Sequence, residues 1–219
     1  MTKLYFIRHG KTEWNLESRY QGMHGDSPLL PQSYDEIKLL AKSLKGIPFS
    51  RLYASPIKRA RITAFELVAD LKQPIRVSLM NELAEFNLGK MEGMLFSEVE
   101  QQYPVEFDAF RNHPDQYDPT AIGAESFPAL IQRFNHGIHE ILQTAADDEN
   151  ILVVSHGAAL NAALNGIVGV PLAHLRDRGG LSNTSTTVLE TKNHGQDFKI
   201  ISWNQTDYLH KEKDLTDTI

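Results

Sequence analysis

The sequence predicts an α/β fold in which a mostly parallel central sheet is flanked by helices. Residues 4–7 (LYFI) and 151–154 (ILVV) are continuous apolar runs, a pattern typical of strands covered on both faces. Amphipathic helical patterns lie between the candidate strands, and such alternation is typical of a parallel sheet. The chain has 219 residues, of which 41% are hydrophobic, and this is enough to bury one sizeable core.

The first half of the chain is expected to supply two further strands and one long helix. Residues 51–54 and 75–79 are the shorter strand candidates. Ser55 is predicted to be the N-cap of the intervening helix and Pro56 its first residue, because serine and proline favour those positions. Apolar residues between positions 57 and 71 recur on one face of this helix.

The second half of the chain combines a helix-rich segment with a hairpin. Residues 93–148 show helical patterns without a convincing strand, and we expect them to form a helical cap inserted over the carboxyl ends of the strands. An amphipathic helix is predicted over residues 127–145, with Ser126 as its N-cap. Residues 184–190 and 198–203 predict two strands joined by a tight turn.

Composition argues against several classes of function. The absence of cysteine removes thiol catalysis and cysteine-ligated zinc, and it favours a reducing compartment. Lys and Arg number 22 against 28 Asp and Glu, and this net charge of −6 disfavours nucleic acid and anionic membranes as partners. No stretch approaches the roughly 20 apolar residues that a membrane span requires. We expect a cytoplasmic protein whose residues 1–219 form a single domain.

Two histidines follow the two buried strands in the same way. The N-terminal strand leads through Arg8 into His9, and the second apolar strand leads through Ser155 into His156. A glycine that permits a sharp turn follows each histidine. Because ligand sites in open α/β sheets lie at the carboxyl ends of strands, His9 and His156 are expected to share one site. The alternative is that each histidine is satisfied by nearby backbone groups.

Two arginines are predicted to bind an anion at the same edge of the sheet. Arg8 ends an apolar strand, and Arg59 lies in the first turn of the helix expected after residues 51–54. Helix N-termini attract anions, and the forked donors of guanidinium groups match the oxygens of a phosphate. Arg8 and Arg59 are therefore expected to converge on one tetrahedral anion.

These motifs and their order resemble the histidine phosphatase superfamily, the phosphoglycerate mutase-like proteins. The similar blocks run from residue 4 to about residue 157, with a weaker one at 182–185: LYFIRHGKTEWN (4–15), RYQG (19–22), DSPL (26–29), LYASPIKRARITA (52–64), LAEFNLGKMEG (83–93) and VVSHG (153–157). The chain departs from the family pattern at residues 23–25, 30–33 and 91. Those departures concern the choice of substrate rather than the phosphate pocket.

The resemblance implies a role for each matching residue. His9 would be the nucleophile that takes up the phosphoryl group, and Glu85 the acid that protonates the leaving oxygen. The phosphoryl oxygens would be held by a protonated His156 together with Arg8, Arg59, Asn15, Gln21 and Gly22. The field of the arginines is expected to keep His9 neutral, which an imidazole nucleophile requires. No metal or other cofactor is implied.

Two other carboxylates compete with Glu85 for the role of the acid. Glu85 lies four residues before Gly89, which is the spacing of the family block, whereas Glu82 and Glu92 are expected to form salt bridges or caps. A phosphate bound beside Glu85 would favour the protonated form that a general acid needs.

Three functions fit these residues. The first is a metal-independent phosphomonoester phosphatase that acts through a phosphohistidine on His9. The second is a phosphoglycerate mutase dependent on 2,3-bisphosphoglycerate, and the third is a non-catalytic phosphate-binding regulatory module. Between residues 93 and 148 the basic residues besides histidine are Arg111 and Arg133, too few for a mutase substrate, so hydrolysis is favoured. The expected partner is a small-molecule phosphomonoester, and a homodimer is left open.

Overall fold

The computed structural model describes residues 1–210 of the chain. Its strands are β1 (Thr2–Arg8), β2 (Arg51–Ala54), β3 (Arg76–Leu79), β4 (Asn150–Ser155), β5 (Thr186–Thr191) and β6 (Phe198–Gln205). They form one sheet in the order β3-β2-β4-β1-β5-β6. The first four strands in this order are parallel, whereas β5 and β6 form an antiparallel hairpin beside β1. The predicted α/β class and its mostly parallel sheet are confirmed.

Helices cover both faces of this sheet. They are α1 (Glu13–Leu16), α2 (Pro31–Ser43), α3 (Lys58–Leu71), α4 (Phe96–Gln102), α5 (Pro104–Asn112), α6 (Phe127–Gln143) and α7 (Gly157–Ile167). Short 3₁₀ turns lie between several of these elements. Within residues 1–210, every helix is too short or too polar to cross a bilayer.

The side chains of β1 pack on both faces of the sheet. Leu4 and Phe6 belong to a core formed with α6 and α7, whereas Tyr5 and Ile7 belong to a second core formed with α2 and α3. All four side chains are buried. A strand covered on both faces has no polar face, and this explains why the sequence of β1 is continuously apolar.

The start of α3 differs from the prediction. Ser55 does not cap this helix and Pro56 is not its first residue, because the N-cap is Ile57, whose backbone is extended with φ −64° and ψ 134°. The Ser55 hydroxyl instead forms a hydrogen bond with His156, and Arg59 remains in the first turn.

Residues 93–148, all of them described, contain α4, α5 and α6 and no strand of the sheet. Ser126 caps α6 as predicted, since its hydroxyl accepts a hydrogen bond of 3.2 Å from the N–H of Ala129. This helix packs along α7, whereas α4 and α5 pack against each other. Phe110 of α5 is fully buried in the core on the same side of the sheet. The segment therefore reaches both the sheet and the loops above it.

Candidate active site

Three adjacent parallel strands, β2, β4 and β1, end at the same edge of the sheet and deliver the candidate residues there. His9 follows β1, His156 follows β4, and Arg59 lies at the start of the helix that follows β2. The two imidazole rings are buried, and their centroids are 5.2 Å apart. The strand order thus brings together two histidines that are separated by 147 positions in sequence.

The position of the proton on His9 follows from its hydrogen bonds. Its Nδ1 lies 2.7 Å from the carbonyl oxygen of Gly10. A carbonyl only accepts, so Nδ1 carries the proton, and Nε2 accepts from Arg59 Nε at 3.3 Å. Burial, followed by the charges of Arg59 and Arg8, lowers the pKa of His9 well below its usual value. The ring is neutral, as expected, with a lone pair on Nε2.

Arg59 is buried and held by backbone carbonyls on the loop that follows α1. Its Nη2 donates to Gly22 at 2.8 Å, and its Nη1 donates to Gly25 at 2.8 Å. The same Nη1 forms an ion pair of 3.2 Å with Asp26. These contacts fix the plane of the guanidinium and direct its Nε toward His9.

Arg8 is fully buried, and it explains the glycine after His156. Its Nη1 donates to the carbonyl of Leu181 at 2.5 Å. A Cβ at Gly157 would lie 2.9 Å from Arg8 Nε, closer than real contacts allow. The φ of Gly157 is not in the left-handed region. The glycine is therefore required by the close approach of the Arg8 side chain rather than by a sharp turn.

Glu85 lies at the N-terminus of α7, where its carboxylate accepts three backbone hydrogen bonds. Oε1 accepts from Phe86 at 2.9 Å and from Ala159 at 2.7 Å, and Oε2 accepts from Ala158 at 3.3 Å. The N-cap residue of this helix, His156, makes no side-chain cap. The buried carboxylate of Glu85 therefore satisfies the helix end that the histidine leaves open.

Arg133 of α6 holds the segment that carries Glu85. Its Nε and Nη2 form a forked pair with Glu125 at 2.8 and 2.9 Å. The remaining donors bind backbone carbonyls of Glu82 at 2.8 Å, Ala84 at 3.0 Å and Glu85 at 3.0 Å. All five N–H groups of Arg133 are thus engaged, and sequence analysis had treated this residue only as a positive charge.

His156 differs from the expectation that it is protonated. Burial, followed by the charges of Arg59, His9 and Arg8, lowers its pKa well below the usual value. Its Nε2 lies 2.8 Å from the Ser55 hydroxyl, which itself accepts from the N–H of Ile57. Nδ1 is buried without a partner among the described residues. The ring is neutral because burial disfavours its charged form first, and the neighbouring guanidinium groups add to that effect.

The remaining predicted ligands lie next to this group on a network of side chains. Asn15 Oδ1 accepts from the N–H of Thr12 at 3.1 Å and from Asn183 at 3.3 Å. Gln21 Nε2 donates to the Thr12 hydroxyl at 2.9 Å. Gly22 has a φ of +62°, which favours glycine. The network joins α1 to the segment before β5. Residues 182–185 of that segment are the weaker block of similarity noted in the sequence.

The three competing carboxylates occupy different positions. Glu92 accepts hydrogen bonds of 3.0 Å from the N–H groups of residues 23–24 and of Leu88, so it holds two loops together. Glu82 lines a separate, more open cavity of about 490 Å³. Of the three, Glu85 lines the narrow cavity that contains His9. Glu85 is therefore the one of these three carboxylates that shares a cavity with His9.

That narrow cavity is lined by five of the candidate residues, which are His9, Gln21, Gly22, Arg59 and Glu85. The aromatic rings of Tyr20 and Phe110 also line it. Among residues 1–210, no three His, Asp or Glu side chains are grouped so that they could hold a metal ion.

A threonine hydroxyl that was not predicted from the sequence supports this site. Thr63 Oγ1 accepts from the N–H of Gly10 at 3.0 Å and donates to the carbonyl of Arg59 at 2.8 Å. It therefore couples the residue that orients His9 to the helix that carries Arg59. The spacing of four residues between Arg59 and Thr63 was the available signal, because helical positions i and i+4 share one face.

An α/β sheet with paired histidines and buried arginines at its carboxyl edge defines a phosphoryl-transfer site. Residues 4–206 match the sequence model of the histidine phosphatase superfamily (branch 1), and the chain belongs to that superfamily.

Three similar proteins illustrate its range. The chain is 31% identical over 189 residues to phosphoserine phosphatase 1 of Hydrogenobacter thermophilus, covering 86% of each protein. It is 28% identical over 172 residues to the 2,3-bisphosphoglycerate-dependent phosphoglycerate mutase of Brucella melitensis, covering 76% of this chain and 82% of the mutase. The structure of Bacillus stearothermophilus YhfR matches with a TM-score of 0.86 at 30% identity, covering 95% of this chain and 100% of YhfR.

Proposed function

We propose that the protein is a metal-independent phosphatase that hydrolyses phosphomonoesters through a phosphohistidine on His9. One observation carries this proposal. The Nδ1 proton of His9 is held by the carbonyl of Gly10, so the lone pair lies on Nε2, which accepts a hydrogen bond from Arg59 and which attack on phosphorus would free from that bond. Arg59 and Glu85 line the same cavity as His9. A neutral imidazole beside two fixed positive charges has the properties of a nucleophile toward a phosphoryl group.

In the first step, Nε2 of His9 attacks phosphorus and the bond from phosphorus to the leaving oxygen breaks. Glu85 acts as the acid in this step and gives a proton to the leaving oxygen, which departs as an alcohol. Arg8 and Arg59 stabilise the negative charge on the equatorial oxygens of the transition state. The buried Nδ1 of His156, which has no partner among the described residues, is the further group suited to bind these oxygens.

In the second step, water attacks the phosphohistidine. The carboxylate of Glu85 accepts a proton from that water, the nitrogen–phosphorus bond breaks, and inorganic phosphate leaves. Nε2 of His9 regains its lone pair and Glu85 regains its proton, so the enzyme returns to its starting state. No metal is required at either step.

Hydrolysis is favoured over the phosphoglycerate mutase reaction. The mutase reaction stays the second candidate function because of the mutase relative from Brucella melitensis. A mutase must return the phosphoryl group to its substrate, whereas a phosphatase passes it to water. The similarity to phosphoserine phosphatase 1, which is greater in identity and coverage than that to the mutase, supports the hydrolase.

The test is the His9→Ala variant, with His139→Ala as a matched control on the exposed face of α6. We expect His9→Ala to abolish release of phosphate from 4-nitrophenyl phosphate, because no other lone pair is placed to accept the group. The wild type and the control should keep full activity in the presence of a chelator and should trap acid-labile phosphate. Steady-state hydrolysis by His9→Ala would contradict the covalent mechanism, and isomerisation of 3-phosphoglycerate faster than hydrolysis would favour the mutase.

A further inference from the structure

Residues 181–184, the segment that precedes β5, hold Arg8 and His9 in place. The carbonyl oxygen of Leu181 accepts a hydrogen bond of 2.5 Å from Arg8 Nη1. The backbone nitrogen of Thr184 donates toward the carbonyl oxygen of Arg8 at 3.1 Å and toward that of His9 at 3.3 Å. The segment is therefore bonded to the guanidinium of Arg8 and to the backbone of both residues.

Thr184 adopts a backbone conformation that costs energy. Its φ is +58°, and among residues 1–210 it is the only β-branched residue with a left-handed φ. Such a conformation persists where the surrounding contacts hold it, and it is frequent at functional sites. Residues 181–184 are almost completely buried, so these contacts come from the protein itself. The bonds that hold this segment therefore affect the geometry of Arg8 and His9.

Asn204 of β6 holds the segment at Ser182, which follows Leu181. The N–H of Ser182 donates to Asn204 Oδ1 at 2.8 Å, and Asn204 Nδ2 lies 3.5 Å from the Ser182 hydroxyl. Ser182 is 2% exposed, so water cannot readily replace Asn204 as the acceptor for this N–H. Loss of the Asn204 side chain would leave a buried donor unsatisfied directly beside the carbonyl that holds Arg8.

A β-bulge places Asn204 where it can make this contact. The register between β5 and β6 shifts between Thr186 and Val188, where β6 has one residue more than β5. Asn204 lies in this bulge with a φ of +49°, which asparagine tolerates better than most residues, and its N–H donates to the Thr187 hydroxyl at 3.0 Å. Bulges redirect side chains and are frequent next to active sites. The bulge thus explains why a residue of the edge strand bonds to a buried segment.

We propose that Asn204 is a positioning residue for the phosphoryl-transfer site, acting through Ser182 and Leu181 on the guanidinium of Arg8. This inference rests on the proposed phosphatase function, in which Arg8 stabilises the phosphoryl oxygens. Asn204 lies outside the lining of the cavity that holds His9, so it touches no reacting atom. Its effect is geometric, because a displacement of about 1 Å in a catalytic group can cost ~100-fold in rate.

The experiment compares Asn204→Gly with Asn204→Asp. Glycine accepts the left-handed φ but has no acceptor for the N–H of Ser182, whereas aspartate keeps an acceptor and also tolerates this φ. The measurement is the Kd of orthovanadate by calorimetry, since vanadate adopts the geometry of a phosphoryl group in transfer. We expect Asn204→Gly to raise this Kd about tenfold, less than the ~100-fold effect of removing a preorganised donor outright. Asn204→Asp should stay close to the wild type.

The matched control is Asn193→Gly in the turn between β5 and β6. Asn193 Oδ1 likewise accepts from a backbone N–H, that of Asp197 at 3.0 Å, but at the opposite end of the hairpin. This variant should bind vanadate like the wild type. If Asn204→Gly fails to fold, Thr187→Val decides, because it removes the acceptor for the N–H of Asn204 with little change in size. It should raise the Kd in the same direction and by a smaller factor.

The outcomes separate a positioning role from a structural one. A purely structural role would lower the fraction of folded protein and leave the Kd of the folded protein unchanged. An unchanged Kd in folded Asn204→Gly, an equal rise in Asn193→Gly, or an equal rise in Asn204→Asp would overturn the inference. A wild type that binds vanadate and hydrolyses no phosphomonoester would overturn the proposed phosphatase, while the expected order of Kd values would still support the positioning role.

Discussion

The two ends of the catalytic cavity are built on opposite principles. At the end formed by the strands, the guanidinium of Arg59 is engaged by His9, Gly22, Gly25 and Asp26 before any ligand is considered. At the aromatic end, tyrosine hydroxyls and arginine nitrogens are buried without partners among the described residues. The first arrangement fixes reacting groups in advance, which is how electrostatic catalysis works. The second is a group of buried hydroxyl and guanidinium groups packed next to Tyr20 and Phe110, and its donors are not arranged in advance around a reacting atom.

The largest expected effect at the preorganised end is that of Glu85→Gln on an alkyl phosphate. An alkoxide needs a proton as it leaves, so we expect kcat/KM for the alkyl ester to fall ~1,000-fold, within the range of general acid catalysis. Nitrophenolate leaves without a proton, so 4-nitrophenyl phosphate should lose much less in the first step and show a burst as phosphohistidine accumulates.

The matched control for this carboxylate is Glu82→Gln, since Glu82 lines the separate cavity. This variant should hydrolyse both substrates like the wild type. Equal losses on both substrates without a burst in Glu85→Gln would assign Glu85 to the support of the α7 N-terminus, where it accepts three N–H groups. In that case Glu85 would be a structural carboxylate and not the catalytic acid of this end of the cavity.

A smaller loss is expected for Arg59→Lys. Lysine keeps the charge but loses the planar fork that reaches Gly22 and Gly25 while its Nε faces His9. Removing one preorganised donor to a transition state corresponds to a ~100-fold loss in kcat. Stopped-flow or steady-state hydrolysis of 4-nitrophenyl phosphate would measure it. Activity near that of the wild type would mean that the fixed geometry of this end contributes little.

The smallest effect concerns pH. The pKa of His9 is lowered by burial first and by the charges of Arg59 and Arg8 next, so kcat/KM should stay high below pH 6.5 and fall only when His9 is protonated. Replacing Arg59 by Gln removes one charge, raises the pKa of His9 and moves the acid limb to higher pH. Arg59→Lys keeps the charge and should leave the limb lower than in Arg59→Gln. Coincident limbs in these two variants would show that the charge at position 59 does not contribute to this pKa.

The preorganised end was largely predictable from sequence, and the aromatic end was not. His9, His156 and Arg59 each follow a strand directly, so strand order alone brings them together. Arg111 and Arg176 come from segments 65 positions apart and meet only through packing on Phe110 and its neighbours. Counting basic residues between 93 and 148 therefore underestimated the positive charge near the cavity.

Two further differences between the prediction and the structure depend on burial and on contacts between distant segments. The neutrality of His156 depends on burial and on the sum of neighbouring charges, which no local motif encodes. The start of α3 at Lys58 was not predicted either, because the Ser55 hydroxyl bonds to His156 rather than capping the helix, and that contact depends on the approach of β4 to β2. The strands and the capped helix α6 were predictable because periodicity and capping are local.

The bond from His9 Nδ1 to the carbonyl of its own neighbour, Gly10, has a consequence for the movement of protons. When Nε2 takes up a phosphoryl group, the Nδ1 proton stays where it is, and the carbonyl dipole offsets the positive character that spreads over the ring. Under the proposed mechanism the nucleophile neither gains nor loses a proton in the whole cycle. Solvent isotope effects and proton-transfer rates would then report on Glu85 alone, so the histidine would be kinetically silent toward exchange with water.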